Sequence, residues 1–225
     1  MAERRASGEP VQYVLGHADF FGLRLDVSPA VLIPRPETEE LAEHALALVD
    51  GVAAPWVLDV GTGSGALALA VKHRRPDAVV FAVDVSEAAL AVAAANARRL
   101  GLDLALVHAD ARRPGLADRI PAVFDLVVSN PPYVPDAERA TLQAEVRREP
   151  ELALFVPDAD PLVFYRALAG HAGRLLRPGG RLAAETHAEH GAAVRELFAA
   201  AGFADAELRQ DLAGRDRIVS ARQPG

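Results

Sequence analysis

Residues 57–65 read Val-Leu-Asp-Val-Gly-Thr-Gly-Ser-Gly. The first four have the apolar character of a buried strand, and the glycines that follow lead into an alanine-rich stretch typical of a helix. Glycine is needed at such a turn when a ligand lies against the backbone, because any side chain would hold the ligand away. The pattern therefore predicts a strand, a tight turn and a helix, with five candidate cofactor-binding residues in the turn: Gly61, Thr62, Gly63, Ser64 and Gly65.

The turn alone leaves the cofactor open. Gly61, Gly63 and Ala66 also satisfy the fingerprint of nicotinamide dinucleotide enzymes, in which alanine can replace the third glycine. A tight strand-to-helix turn without any ligand is a further alternative, because a fold does not by itself imply a function.

On both sides of this turn, short β-branched runs alternate with longer alanine-rich stretches. That order is typical of a parallel sheet covered by helices on both faces. We therefore predict an α/β fold, Rossmann-like, with a doubly wound and mostly parallel sheet of seven strands, the last two antiparallel. The predicted strands cover residues 56–60, 79–83, 104–108, 124–129 and 181–185, followed by two near Glu207 and Ile218.

The segment before this sheet has a different pattern. Residues 9–33 alternate apolar and polar side chains around a Phe-Phe-Gly turn at 20–22, which predicts a short hairpin. A link stiffened by prolines then leads into an amphipathic helix over residues 37–49. We therefore divide the chain into an N-terminal β-hairpin and linker, residues 1–36, and a main domain, residues 37–225.

The composition argues against several classes of protein. With 31 acidic and 24 basic residues the net charge is -7, the opposite of the basic surface that holds duplex nucleic acid. The absence of cysteine excludes disulfides, thiol catalysis and thiolate metal sites. No stretch approaches the ~18 apolar residues of a membrane span, and the first ten residues lack the apolar segment of a secretion signal. We expect a cytoplasmic protein that does not contact the membrane.

Two acidic residues follow the second and third predicted strands. Asp84 lies roughly 20 residues beyond the glycine turn, where a carboxylate accepts hydrogen bonds from ribose hydroxyls. Its alternative role, capping the next helix, can be filled by Ser86. Asp110 and Ala111 come after the third strand, where they would flank an adenine ring. A ligand that contains ribose is therefore favoured.

The sequence Asn130-Pro131-Pro132-Tyr133 follows the apolar strand at residues 124–129. Two prolines end the strand pairing and hold the carbonyl groups of the loop in a fixed geometry, at the sheet edge where ligands bind. A merely rigid loop would not explain why an asparagine and a tyrosine flank the prolines.

A methyl transfer to nitrogen does explain them. A planar amide or aromatic amine is a poor nucleophile, so the Asn130 side-chain oxygen and the Pro131 carbonyl would grip its two N–H groups, while Tyr133 would pack against the plane and exclude water. Most of the rate would then come from positioning, which can supply ~7 to 11 kcal/mol. We assign Asn130, Pro131 and Tyr133 as catalytic residues, and all four residues of the loop as substrate-binding.

At these residues the chain resembles the bacterial peptide chain release factor glutamine methyltransferases, and more loosely all amino methyltransferases with an Asn-Pro-Pro-Tyr loop. The resemblance spans nearly the whole chain. Besides the loop, it rests on Gly-Glu-Pro-Val-Gln-Tyr-Val-Leu-Gly at 8–16, Phe-Phe-Gly at 20–22, Leu-Ile-Pro-Arg-Pro-Glu-Thr-Glu at 32–39, Glu-Pro at 149–150, Ala-Leu at 153–154 and Asp-Leu-Ala-Gly-Arg-Asp-Arg at 211–217.

This resemblance implies a class I S-adenosylmethionine-dependent methyltransferase domain over residues 37–225. It also implies that Gly61 to Gly65, Asp84, Ala111 and Asn130 contact S-adenosylmethionine, and that Asn130 to Tyr133 bind the acceptor. The implied acceptor is the glutamine of the Gly-Gly-Gln motif in a peptide chain release factor, with nucleic acid not expected as a direct substrate. No metal is assigned: His187 and His190 lack a third ligand and are interpreted as a solvated junction.

Two departures from the family pattern stand out. The small helical domain of about 70 residues that normally precedes the linker is not present, which we expect to bear on the protein partner more than on the reaction. Thr186-His187 stands where the family has a glycine shortly after the glutamate, and nothing in the sequence explains that change.

Three alternatives stay open at this point. The same loop could methylate the exocyclic amine of adenine or guanine in DNA or RNA, with a flipped base stacked on Tyr133. The chain could also be a binding module that retains the cofactor pocket, or a dehydrogenase. The intact loop at residues 130–133 disfavours the last two.

Overall fold

The N-terminal part of the chain forms two short helices and a hairpin. The computed structural model describes residues 2–121 and 123–225. Helices α1 (Ala2–Ala6) and α2 (Val11–Leu15) precede strands β1 (His17–Phe20) and β2 (Leu23–Asp26). The predicted hairpin is thus confirmed, although residues 11–15 are helical where the alternating pattern favoured extended backbone.

The turn of the hairpin is bonded to the first helix of the main domain. Phe20 pairs with Leu23 across a two-residue turn in which Phe21 and Gly22 both have positive φ, 51° and 79°. That conformation matches the twist of the flanking strands. The Phe21 backbone N–H donates to Glu39 Oε1 at 2.7 Å, which ties the turn to the next helix. The division of the chain at residue 36 stays a prediction.

The main domain alternates strands and helices in the predicted order. Its elements are α3 (Pro36–Leu48), β3 (Trp56–Val60), α4 (Ala66–Arg74), β4 (Val79–Asp84), α5 (Glu87–Leu100), β5 (Ala105–His108), β6 (Phe124–Ser129), β7 (Val134–Pro135), α6 (Glu151–Leu154), β8 (Phe155–Val156), α7 (Val163–Leu175), β9 (Leu176–Glu185), α8 (Gly191–Ala200), β10 (Ala204–Gln210) and β11 (Asp216–Arg222).

Seven of these strands form one sheet in the order β10-β11-β9-β6-β3-β4-β5. The pairs among β5, β4, β3, β6 and β9 are parallel, and β11 pairs antiparallel with both β9 and β10. This confirms the predicted fold. The Pro-Gly-Gly run at 178–180 lies within β9, where the register with β6 shifts.

The sheet is buried on both faces, as doubly wound folds require. Val57 and Leu58 are adjacent on β3 and both 0% exposed, yet they belong to different apolar clusters. Val57 packs with α3 and α4, and Leu58 packs with α7 and α8. Side chains alternate across a strand, so each face has its own helical cover. Within the described residues every helix is too short or too polar to cross a bilayer.

The strand order places one switch point between β3 and β6. From β3 the chain runs outward through β4 to β5, then returns to β6 on the other side of β3. Ligands of open α/β sheets bind outside the carboxyl ends of the strands at such a point. The glycine turn after β3 and the Asn-Pro-Pro-Tyr loop after β6 both lie there.

Candidate active site

An open cleft lies at this switch point. Its volume is about 970 Å³ counted with the solvent at its mouth. The turn after β3, the ends of β4 and β5, and the loop after β6 form its floor. Two further segments, residues 30–32 and 150–153, form its walls.

The glycine turn provides a backbone cradle. The N–H groups of Gly61 and Thr62 donate to the Val83 carbonyl at 2.8 and 3.0 Å, which holds the turn against β4. Gly61 has φ +78°, and a Cβ there would lie 4.0 Å from the main-chain oxygen of Asn130. A side chain at this position would therefore fill space between the two loops that the glycine leaves free.

Asp84 is held in place at the end of β4. Its Oδ2 accepts from the Gly63 backbone N–H and its Oδ1 from the Ser86 backbone N–H, both at 2.9 Å. Burial raises the pKa of the Asp84 carboxyl, and these backbone hydrogen bonds counteract the rise. Each carboxylate oxygen has two lone pairs, so both can accept a further hydroxyl from the cleft. Ser86 caps α5 by accepting from Ala89 N at 3.1 Å, as predicted.

Asp110 and Ala111 lie beside an apolar slot in the same cleft. Hydrogen bonds from Arg112 lower the pKa of the Asp110 carboxyl. The Ala111 carbonyl accepts from Nε2 of the buried His171 at 2.9 Å, so this backbone is anchored to α7. Phe164, also on α7, lines the cleft next to these residues. Ala111 and Phe164 give this end of the cleft apolar surfaces, of the kind against which an aromatic ring packs.

The loop after β6 is held on both of its sides. Ser129 Oγ donates to the Val60 carbonyl at 2.6 Å, and Asn130 Nδ2 donates to Thr38 Oγ1 at 3.0 Å. The Tyr133 hydroxyl donates to Glu185 Oε1 at 2.9 Å. Asn130, Pro131 and Pro132 line the cleft. The NH₂ group of Asn130 is engaged by Thr38, and within the described part of the chain its Oδ1 has no hydrogen-bond partner, so it is available as an acceptor.

Relatives of known identity agree over almost the whole chain. A release factor glutamine methyltransferase from Burkholderia pseudomallei is 46% identical over 231 residues, covering 99% of this chain and 79% of that protein. One from Chlorobaculum tepidum is 47% identical, covering 96% and 75%. The chain belongs to the release factor glutamine methyltransferase family.

Two further comparisons agree with this family. The family described as "Methyltransferase small domain" matches residues 39–149. The crystal structure of a release factor-specific protein-(glutamine-N5) methyltransferase from Alicyclobacillus acidocaldarius superposes with a TM-score of 0.54 at 28% identity, covering 89% of this chain and all of that chain. The predicted methyltransferase activity and the predicted cofactor, S-adenosylmethionine, are confirmed by membership of the family.

The cleft fits this cofactor on its own geometry. The positive-φ glycines leave room for a ligand against the backbone, Asp84 offers acceptors for ribose hydroxyls, and Ala111 with Phe164 offers an apolar slot for adenine. Gly61, Gly63, Asp84 and Asn130 would hold S-adenosylmethionine, together with Asp110 and Ala111 at the adenine end.

Not every residue predicted from the motif faces the cleft. The Thr62 hydroxyl donates to Asp59 Oδ2 at 2.7 Å, and the Ser64 carbonyl accepts from Asn96 Nδ2 at 3.0 Å. Gly65 has φ +85°, and a Cβ there would lie 3.1 Å from Leu69 Cδ1. In the described part of the chain these three residues build the turn behind the cleft, and Tyr133 lies behind the loop rather than in the cleft lining.

Two buried side chains that contact the loop, Thr38 and Glu185, were not predicted from the sequence. Thr38 is part of the family's Pro-Arg-Pro-Glu-Thr-Glu segment, and Glu185 ends β9 at the same sheet edge, so the sequence carries a signal for both. His187, two residues after Glu185, places its ring 6.1 Å from that of Tyr133 and its Nε2 3.6 Å from Glu138 Oε2. Among residues 2–121 and 123–225 no three acidic or histidine side chains are grouped to hold a metal ion.

Proposed function

We propose that this methyltransferase modifies the side-chain amide nitrogen of a glutamine in the Gly-Gly-Gln motif of a peptide chain release factor. The observation that carries the proposal is the Asn130 amide, which is held through Nδ2 by Thr38 in a residue that lines the cleft, so that its oxygen is the end left to accept from a substrate. The names of the relatives, at 46% and 47% identity, support the same acceptor.

The reaction requires that the loop bind and orient a primary amide. The amide lone pair is delocalised, so the nitrogen attacks only when both N–H groups are held and the nitrogen is aimed. We assign that task to Asn130 Oδ1 and the Pro131 carbonyl. When bound, S-adenosylmethionine supplies an electrophilic methyl group, and the nitrogen that accepts it loses one proton to solvent.

Tyr133 acts from behind the loop in this proposal. Burial, the first cause, and the nearby Glu185 raise the pKa of the Tyr133 hydroxyl well above its usual value, so it stays protonated and remains a donor. Its fixed position excludes water from the side of the loop away from the cleft. Hydrogen bonds to the substrate amide are stronger where water is excluded.

The electrostatics favour a protein acceptor over nucleic acid. The net charge of -7 would repel a polyphosphate backbone. Since release factors act on ribosomes, we also propose the cytoplasm as the place of the reaction.

The test uses labelled S-adenosylmethionine with three acceptors: a release factor, the same release factor with its Gly-Gly-Gln glutamine replaced by alanine, and total RNA. We expect label only on the first, with mass spectrometry placing one added methylene mass on the glutamine. Label on RNA alone, or equal label on the alanine form, would overturn the proposal.

A variant separates the loop's role from cofactor binding. Asn130→Ala removes one of the two acceptors, and the loss of a comparable preorganised group costs ~10²–10³ in kcat. We expect a fall of that order with a smaller change in the Kd of S-adenosylmethionine measured by calorimetry. Unchanged turnover would contradict the assigned role.

A further inference from the structure

A chain of hydrogen bonds connects the Asn130 amide to a buried carboxylate. Asn130 Nδ2 donates to Thr38 Oγ1 at 3.0 Å, and the Thr38 hydroxyl donates to Glu185 Oε2 at 2.7 Å. Glu185 Oε1 accepts from the Tyr133 hydroxyl at 2.9 Å. Glu185 is 0% exposed and Thr38 5% exposed. We call Glu185, Thr38 and Asn130 the amide relay.

In each hydrogen bond of the amide relay, the donor and the acceptor are determined by which protons and lone pairs the two groups have. The Thr38 hydroxyl donates to Glu185, and with Glu185 ionised this is the one direction open to it, because a carboxylate only accepts hydrogen bonds. The Thr38 oxygen can then only accept from Asn130, and the atom of Asn130 that faces it must be the NH₂ nitrogen. The Asn130 oxygen is consequently the end that faces away from Thr38, in a residue that lines the cleft.

This direction matters because an asparagine amide can rotate by half a turn at little steric cost. The two ends of the amide have nearly the same shape, and only hydrogen bonding distinguishes them. Rotated, Asn130 would present N–H donors to the N–H groups of a substrate amide. The loop would keep its shape and lose its acceptor.

We propose that Glu185 and Thr38 are positioning residues for the methyl transfer, and that they set which end of the Asn130 amide faces the substrate. The inference rests on the proposed function, in which Asn130 Oδ1 accepts from the glutamine N–H. Neither residue lines the cleft. Both act through Asn130, and Glu185 also holds the Tyr133 hydroxyl.

The surroundings of Glu185 match this task. Burial raises the pKa of its carboxyl, while the hydrogen bonds from Thr38 and Tyr133 and the charge of Arg217 act in the opposite direction. Arg217 is itself fixed, because its Nε donates to Asp211 Oδ2 at 3.1 Å and its Nη1 to the Thr186 carbonyl at 3.2 Å. The Tyr165 hydroxyl donates to the Glu185 main-chain oxygen at 3.0 Å. The end of β9 is therefore held by side chains from three directions.

Thr38 offers a matched pair of variants. Thr38→Val replaces the hydroxyl by a methyl group of similar size, which breaks the relay without leaving a cavity. Thr38→Ser keeps the hydroxyl and loses a methyl group. The relay predicts a kcat at least about tenfold lower for Thr38→Val, the effect of one charge-assisted hydrogen bond, with Thr38→Ser within about threefold of wild type.

Glu185→Gln tests the direction of the relay. The introduced amide can donate to Thr38, which frees the threonine proton to point at the Asn130 oxygen and favours the rotated form. We expect kcat to fall as far as in Thr38→Val, while KM for the release factor and the Kd of S-adenosylmethionine stay within about threefold of wild type, since the cleft lining is unchanged.

The outcomes separate this inference from the proposed function. If the wild-type enzyme labels RNA and not the glutamine, the proposed function fails, and the kcat ratio of Thr38→Ser to Thr38→Val on that acceptor still decides the relay. Equal kcat for these two variants overturns the relay, whether both match wild type or both fall together. Loss of cofactor binding in step with kcat would also overturn it, because that would indicate a purely structural role.

Discussion

Arg35 and Glu149 form an ion pair that joins the two walls of the cofactor cleft. Arg35 Nη2 lies 2.5 Å from Glu149 Oε1, and Glu149 Oε2 accepts from the Ile33 backbone N–H at 2.9 Å. The Glu149 side chain is 1% exposed. Residues 30–32 and 150–153 both line the cleft, so this carboxylate ties the two lining segments together.

We predict that Glu149→Ala weakens cofactor binding and stability together. The variant leaves the buried Ile33 N–H without a partner, a loss of about 1–3 kcal/mol in the free energy of unfolding. With the walls released, we expect the Kd of S-adenosylmethionine to rise about tenfold, measured by calorimetry alongside urea denaturation. Asp19→Ala is the matched control, because Asp19 has an exposed ion pair with Arg24, at 3.6 Å, and should change neither quantity measurably. A normal Kd in Glu149→Ala would show that the walls are held by other contacts.

Alanine variants of Gly63 and Gly51 distinguish the effect of backbone strain on stability from the effect of a blocked glycine turn on cofactor binding. Both have positive φ, +55° and +76°, and a Cβ at either meets no atom within 4 Å. Alanine at each should cost about 1 kcal/mol or somewhat more in stability, because left-handed backbone is unfavourable for residues with a Cβ. Only Gly63 lines the cleft, so Gly63→Ala alone should raise the Kd of S-adenosylmethionine, by tenfold or more. Equal Kd values in the two variants would show that the glycine turn is not part of the cofactor site.

Asp59 should make the stability of the protein depend on pH. It is 1% exposed, and its Oδ1 is buried with no hydrogen-bond partner among the residues that the structure describes. Burial raises the pKa of its carboxyl from 3.8 to about 7. Between these values the folded state keeps a proton that the unfolded chain releases. Stability therefore falls as pH rises through this window, by up to ~4 kcal/mol at 1.36 kcal/mol per pKa unit.

Denaturation of the wild type and of Asp59→Asn at pH 5 and pH 8 tests whether Asp59 makes stability fall as the pH rises. The free energy of unfolding should fall less between the two pH values than it does in the wild type, since the amide does not ionise. Asp103→Asn, the same change at an exposed position, should leave the wild-type dependence intact. Identical pH dependence in the wild type and Asp59→Asn would mean that Asp59 is ionised throughout.

The order of elements and the position of the cleft could be predicted from the sequence. Both depend on patterns formed by residues that are close together along the chain. These patterns are the apolar period of each strand, the glycines at 61–65 and the prolines at 131–132. The same locality explains one wrong prediction and two contacts that the motif does not show. Residues 11–15 alternate apolar side chains yet form a helix, and the motif at 61–65 does not reveal that Thr62 and Ser64 have partners behind the turn.

The amino-acid sequence alone determined the sheet, its switch point and the chemistry of the Asn-Pro-Pro-Tyr loop, because glycine, proline and strand periodicity act within a few residues. Tertiary structure alone decided which way the Asn130 amide points. Its partner Thr38 is 92 positions away in the chain, and Glu185 is 147 positions from Thr38. Only the packing of α3 beside the ends of β6 and β9 brings these groups within hydrogen-bond distance. Which group donates and which accepts is therefore decided only in the folded protein, where both partners are in contact.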